Sequence, residues 1–218
     1  MSSSREEILN RIRRATRDVP QNERPGDVPV GRGYRKHDGT SSREEIIERF
    51  VERTSEYEAR VRRVDEADLP REISDALRLR GVERVVVPSG LPEEWIPKDV
   101  EPLRDGNERL TNRELDDSDG VLSGCSLGIA QTGTIVLDSG EGQGRRALTL
   151  LPDYHLCVIK EDQIVGLVPE AFEKLTDTVK GEGQAITFIS GPSATSDIEL
   201  NRVEGGHGPR TLEVLIVG

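Results

Sequence analysis

Gly124-Cys125-Ser126-Leu127-Gly128-Ile129-Ala130-Gln131-Thr132-Gly133-Thr134-Ile135-Val136-Leu137-Asp138 is the stretch from which the rest of the chain can be read. Val121 and Leu122 lead into it as a buried strand, a turn rich in glycine and hydroxyls follows, and Ile135-Val136-Leu137 makes a second strand. Short apolar runs bounded by Gly and Ser have the pattern of fully buried strands. Two small-residue elbows, Gly128-Ile129-Ala130 and Thr132-Gly133-Thr134, let the backbone come close to something, because glycine has no Cβ and threonine adds a hydroxyl. A Gly/Thr turn between strands also serves simply as a turn. Spacing alone leaves both readings open.

Upstream, Ser4-Arg5-Glu6-Glu7 opens a short charged helix with a capping box, and Ile8, Leu9 and Ile12 form its apolar edge. Residues 18–40 carry Pro20, Pro25, Pro29 and four glycines with no surviving period, which predicts an extended arm, suited to wrapping a neighbouring subunit in a homo-oligomer. The SSREEI run recurs at Ser41, so the same cap is expected to start a long helix. Its apolar face would be Ile46, Ile47, Phe50, Val51, Tyr57, Val61 and Val64. Leu69-Pro70 begins a third helix, ended by Gly81, and Val82–Pro88 is a strand. Residues 91–108 are poorly patterned apart from a turn at Glu94-Trp95-Ile96, and a short helix is expected between Leu110 and Leu115.

Downstream, Tyr154–Ile159, Ala185–Ser190 and Thr211–Val217 read as strands, with an amphipathic helix from Pro169 to Val179. Repeated strand, crossover and strand predict a three-layer α/β/α fold with a largely parallel sheet. The division expected is a helix and arm over 1–40 and an α/β domain over 41–218. The hydrophobic fraction is 33% and the aromatic fraction 3%, so the core must be built from Val, Leu, Ile and Ala, as such sheets are.

The net charge is −11, with 5 Lys against 25 Arg. That excess repels phosphate backbones and argues against nucleic acid as a partner. An acidic, solvated surface of this kind suits a salt-rich cytoplasm. Cys125 and Cys157 stand alone in apolar contexts, read as buried free thiols. Without a CxxC they make neither a zinc site nor an iron–sulfur cluster. No apolar run approaches the ~20 residues needed to span a bilayer, and the start lacks the apolar core of a signal peptide. A cytoplasmic location is expected.

Ligands of open α/β sheets sit beyond the carboxyl ends of the strands. Three loops carry suitable chemistry there. Gly128, Gln131, Thr132, Gly133 and Thr134 offer N–H groups, hydroxyls and an amide. Gly191, Ser193, Thr195 and Asp197 stand where a helix is expected to start, a seat for anions or merely that helix's cap. Arg145 and Arg146 close a glycine-dense loop and are candidates for a carboxylate or phosphate, as well as for surface ion pairs. His207 sits among small residues that expose it; His155, at a strand entrance, reads as structural. A histidine without a paired Ser, Cys or metal ligand is thin evidence of catalysis, and no catalytic residue can be named. No GxSxG, HExxH, P-loop or GxGxxG motif is present.

The runs GIAQTGTIVLDSGEGQGRRALTLLPDYHLCVIK from Gly128, SGPSATSDIEL from Ser190 and GGHGPRTLEVLIVG from Gly205 occur in that order, and over roughly Val82 to Gly218 the chain resembles the lactate-utilisation protein C family, the LUD domain. The resemblance implies a fold like that of the ribose-5-phosphate isomerase and CoA-transferase superfamily, whose glycine-rich loops hold phosphate or CoA groups. It implies a role as the cluster-free subunit of a system oxidising L-lactate to pyruvate. No cofactor would then be carried by this chain, and iron–sulfur clusters would lie on partner subunits. In the GIAQTGT motif of that family the position of Gln131 is frequently Glu. An amide is neither nucleophile nor base, so a carboxylate mechanism does not carry over. A self-sufficient enzyme on a sugar phosphate or acyl-CoA and a small-anion sensor are the other two readings.

Overall fold

The computed structural model describes residues 4–20, 22–27, 30–31, 33–180, 185–196, 202–204 and 208–218, with backbone alone for 25, 179–180, 194–196 and 202–204. It divides into two units, 1–35 and 36–218. The first holds helix α1 (Ser4–Ala15), none of whose residues is buried. Ser4, expected as its cap, is already its first helical residue.

In the second unit the elements are α2 (Arg43–Glu56), β1 (Arg60–Val64), α3 (Leu69–Leu79), β2 (Arg84–Pro88), β3 (Glu101–Asp105), α4 (Asn112–Asp116), β4 (Gly120–Ser123), β5 (Leu127–Ile129), β6 (Thr134–Leu137), β7 (Tyr154–Lys160), β8 (Ile164–Val165), α5 (Val168–Lys174), α6 (Thr176–Lys180), β9 (Thr187–Ile189), β10 (Ala194–Ser196), β11 (Arg202–Glu204) and β12 (Thr211–Val217). Six strands form an all-parallel sheet in the order β1-β12-β7-β4-β2-β3. A second, mixed sheet runs β8-β5-β6-β9, and β10 and β11 make a separate antiparallel pair. This is an α/β fold.

One face of the parallel sheet packs Val85, Val87, Leu122, Leu156, Val158 and Leu215 against Leu69, Ile73, Ala76 and Leu77 of α3. The other packs Cys157, Ile159, Val214 and Ile216 against Ile47 and Phe50 of α2 and against Ile135 and Leu137 of the second sheet. That second sheet turns Leu127, Ile129 and Val136 outward onto Ala171 of α5. The largely parallel sheet flanked by helices is as expected; in addition, on one side of the main sheet a second sheet stands beside α2, and α5 covers it. Chain order could not reveal this, since a buried hairpin strand and a buried parallel strand have the same apolar run.

Four local expectations also change. The Ser41 repeat does cap α2, Ser42 Oγ accepting from Glu45 N–H at 3.2 Å while Ser42 N–H donates to the Glu45 carboxylate at 2.6 Å. But α2 stops at Glu56; Glu58 turns the chain at φ 67° and Val61 and Val64 belong to β1. Their three-residue offset, which mimics a helix face, puts them on opposite faces of the sheet. The helix expected over 169–179 is two, α5 and α6, and Thr176 Oγ1 bonds back to Phe172 O at 2.9 Å where they meet. Residues 101–105, without visible pattern, are the edge strand β3, half-exposed and carrying Pro102, as edges tolerate. Among the described residues no helix starts near Ser193: Ala194–Ser196 pairs with Arg202–Glu204 instead, in keeping with the strand preference of threonine. Among the described residues no helix is long and apolar enough to cross a membrane.

Candidate functional site

Asp138 organises the loop that follows β6. Its N–H donates to Gln143 Oε1 at 2.8 Å, and its carboxylate accepts from Gln143 Nε2 at 2.8 Å, Gly140 N–H at 3.0 Å and Ser126 Oγ at 3.0 Å. The loop is then stitched across the carboxyl ends of the parallel strands. Gly142 N–H donates to Ser89 O at 2.9 Å, and Gly142 O accepts from Gly124 N–H at 2.8 Å. Gly142 and Gly144 take φ near +70°, and a Cβ on Gly144 would meet Leu148 at 2.7 Å and Pro88 at 2.9 Å. Glycine is required there.

The two arginines at the end of this loop part company. Arg145 forks onto Asp105, Nε to Oδ2 at 3.0 Å and Nη2 to Oδ1 at 3.1 Å, and also donates to Leu110 O at 2.6 Å. It locks the loop to β3. Arg146 turns to its own backbone, with Nη1 donating to Thr149 O at 2.8 Å and to Thr149 Oγ1 at 3.2 Å. Among the described residues no carboxylate pairs with it, and the rest of its guanidinium has no hydrogen-bond partner. Burial holds its pKa below the usual arginine value, although a guanidinium remains charged. Gly208 links Thr149 to Ser193: Ser193 N–H donates to Pro209 O at 2.7 Å, and a Cβ on Gly208 would lie 3.4 Å from the Ser193 Cβ and 3.9 Å from Thr149 O. A half-buried cation held at one nitrogen by Thr149 can bind a carboxylate or phosphate with charge-assisted hydrogen bonds.

The hairpin residues occupy a different setting. A Cβ on Gly128 would meet Ile159 at 2.7 Å and Phe50 at 3.0 Å, so Gly128 lets β5 settle on the core. Gly133, at φ 58°, lies against the α2 backbone, where a Cβ would come 2.5 Å from Arg53 C and Thr54 N. Gln131 Oε1 accepts from Val168 N–H at 3.2 Å, at the start of α5. Thr132, Thr134 and Ser190 form a row of hydroxyls, each step 2.7 Å, joining β6 to the end of β9. Gly191, at φ 128°, packs on Tyr57. The row joins the hairpin to Ser190, three residues before Ser193 along the chain, while Arg145 is spent on Asp105. Thr195 lies on β10 with its side chain outside the described residues, and Asp197 and His207 also lie outside them.

Sequence reading passed over Ser123 and Thr149 and took His155 as structural. His155 is buried and its Nε2 lies 2.8 Å from Ser123 Oγ. The i, i+2 spacing of His155 and Cys157 on one strand was the available signal. Thr149 had none.

The LUD domain family matches residues 47–217 of this chain. A lactate utilization protein C of Deinococcus radiodurans is 49% identical over 81% of this chain and 82% of that one. One from Shouchella clausii is 36% identical over 49% of this chain and 46% of that one, so the second match spans about half of each. Among solved structures, the crystal structure of a DUF162 family protein from Deinococcus radiodurans superposes with a TM-score of 0.70 at 41% identity, covering 82% of this chain and 99% of that one.

Proposed function

The chain belongs to the LUD domain family, and from that premise we propose that it is the cluster-free subunit of a system that oxidises L-lactate to pyruvate. The observation that carries this reading is the similarity to the Deinococcus radiodurans lactate utilization protein C over four-fifths of both chains. A role in lactate utilisation rests on that relative and on the family match. The division of labour rests on donor chemistry: taking two electrons from a 2-hydroxy acid calls for an electron carrier, and a four-thiolate cluster needs four cysteines where this chain has two. The carriers are assigned to partner subunits, and the place for a small carboxylate in this chain to Arg146, Thr149 and Ser193.

Deletion of the chain from its native cell should abolish growth on L-lactate, and its affinity purification should bring down iron-bearing partners that reduce a dye with lactate. Unimpaired growth on lactate without the chain sinks the proposal. The half-buried Arg146 also favours a second reading, a small-anion sensor. Tight binding of a carboxylate or phosphate by a chain that purifies without iron, with lactate growth intact in its absence, is the result that selects it.

A further inference from the structure

Beneath the loop at 138–146 lies a group of side chains that the lactate reading does not use. β4 and β7 pair in parallel with Ser123 opposite Cys157 and Val121 opposite His155, so Ser123, His155 and Cys157 face the same side of the sheet. Cys125 returns to that side just past the end of β4. The two thiols are crossed: Cys125 Sγ lies 3.8 Å from Val158 O, the carbonyl next to Cys157, and Cys157 Sγ lies 3.8 Å from Gly124 O, the carbonyl next to Cys125. Cys157 Sγ is also 3.9 Å from Val158 O, so both sulfurs rest on one carbonyl and lie side by side. Both cysteines are free and buried. Among the described residues no group of three or more His, Cys, Asp and Glu could hold a metal ion, which leaves thiol chemistry.

We propose that Cys125 and Cys157 are a site of oxidative modification, a dithiol that a hydroperoxide converts into a disulfide and cellular thiols restore. The Cys157 thiolate attacks one oxygen of the peroxide, the O–O bond breaks, and the leaving oxygen departs as water or alcohol after taking up a proton. Cys157 is then a sulfenic acid. The sulfur of Cys125 attacks it, the S–S bond forms, and the hydroxyl leaves as water with the Cys125 proton. Two thiols and one peroxide become a disulfide, water, and a second water or an alcohol.

The surroundings sort the roles. Cys157 is held down to about 6 by the hydrogen bond from Cys125, against the cost of burial, with further help from His155 and Ser123. Cys125 is pushed well up by that same bond and by burial, with the Asp138 carboxylate adding to the shift. Cys157 is the attacking sulfur and Cys125 the resolving one. The attacking thiol is enclosed, which selects small oxidants over disulfide-bearing ones.

The test treats the purified full chain with stoichiometric hydrogen peroxide, followed by intact mass and a non-reducing peptide map. Expected are a loss of two hydrogens, one cross-linked peptide joining Cys125 to Cys157, and full reversal by dithiothreitol. Cys125→Ser should give a dimedone-trappable sulfenic acid at Cys157 in place of the cross-link. Cys157→Ser should slow consumption by at least about tenfold. The unsubstituted chain decides the matter even if a variant fails to fold. Separate sulfinic acids without a cross-link, or thiols inert in the folded chain yet reactive in urea, overturn the proposal.

Discussion

Two glycine-rich stretches lie a few residues apart, Gly128–Thr134 and Gly140–Arg146, and the protein uses them for opposite ends. The first closes inward. Gly128 and Gly133 bring the hairpin against the side chain of Phe50 and the backbone of α2, and Gln131 reaches the first N–H of α5. The second closes across the strand ends, with Arg145 tying it down to Asp105 and Arg146 left without a carboxylate among the described residues. A glycine announces that something comes close. Whether that something is the protein or a ligand depends on what the fold has placed opposite.

The contrast can be broken most forcefully at Gly133. Valine there would need a left-handed backbone and would drive a Cβ into Arg53 and Thr54, so Gly133→Val should cost about 3 kcal/mol or more in urea unfolding. A loss below about 1 kcal/mol would mean that the hairpin does not sit on α2.

The anchor of the second loop comes next. Asp105→Ala strands Arg145, which is 29% exposed beside a carboxylate only 7% exposed, and should cost about 2 kcal/mol, less than a fully buried pair because water reaches the guanidinium. Adding Arg145→Met to it should restore part of that loss. Simple additivity of the two single substitutions would deny that they form a pair.

Arg146→Met sharpens the comparison from the other side. It breaks no ion pair among the described residues, so stability should move by no more than about 0.5 kcal/mol. Binding of L-lactate, pyruvate or phosphate, measured by calorimetry, should fall at least about tenfold through loss of charge-assisted hydrogen bonds. Unchanged affinity removes Arg146 from the site.

The smallest effect is expected at Gln131. Gln131→Glu keeps the acceptor for Val168 N–H and adds negative charge at the start of α5, a gain of about 0.5 kcal/mol. Gln131→Met should lose a similar amount, seen as a shift in thermal midpoint. A null result for both would mean that the side chain leaves Val168 uncapped.

Much of this was legible beforehand because it is local. The cap at Ser42, the stop at Gly81 and the strands at Val85–Val87, Leu156–Ile159 and Val214–Val217 follow from residue type and period. So does the excess of Arg over Lys. What stayed hidden was non-local. Val61 and Val64 satisfied helical spacing until β12 offered an edge to pair with, and the run at 194–196 stood as a helix start until 202–204 came alongside it.

By itself the sequence determined the α/β class, the apolar lines of the main sheet and the family resemblance, and it singled out three loops as candidates for chemistry. Tertiary structure alone decided that the hairpin belongs to a second sheet, that Arg145 is spent on Asp105 while Arg146 turns to Thr149, and that Cys125 and Cys157, far apart along the chain, rest on one carbonyl. Periodicity records which face a residue shows to its own element. Only packing decides which distant residue meets it there, because the energy of that meeting belongs to the pair and appears in neither segment alone.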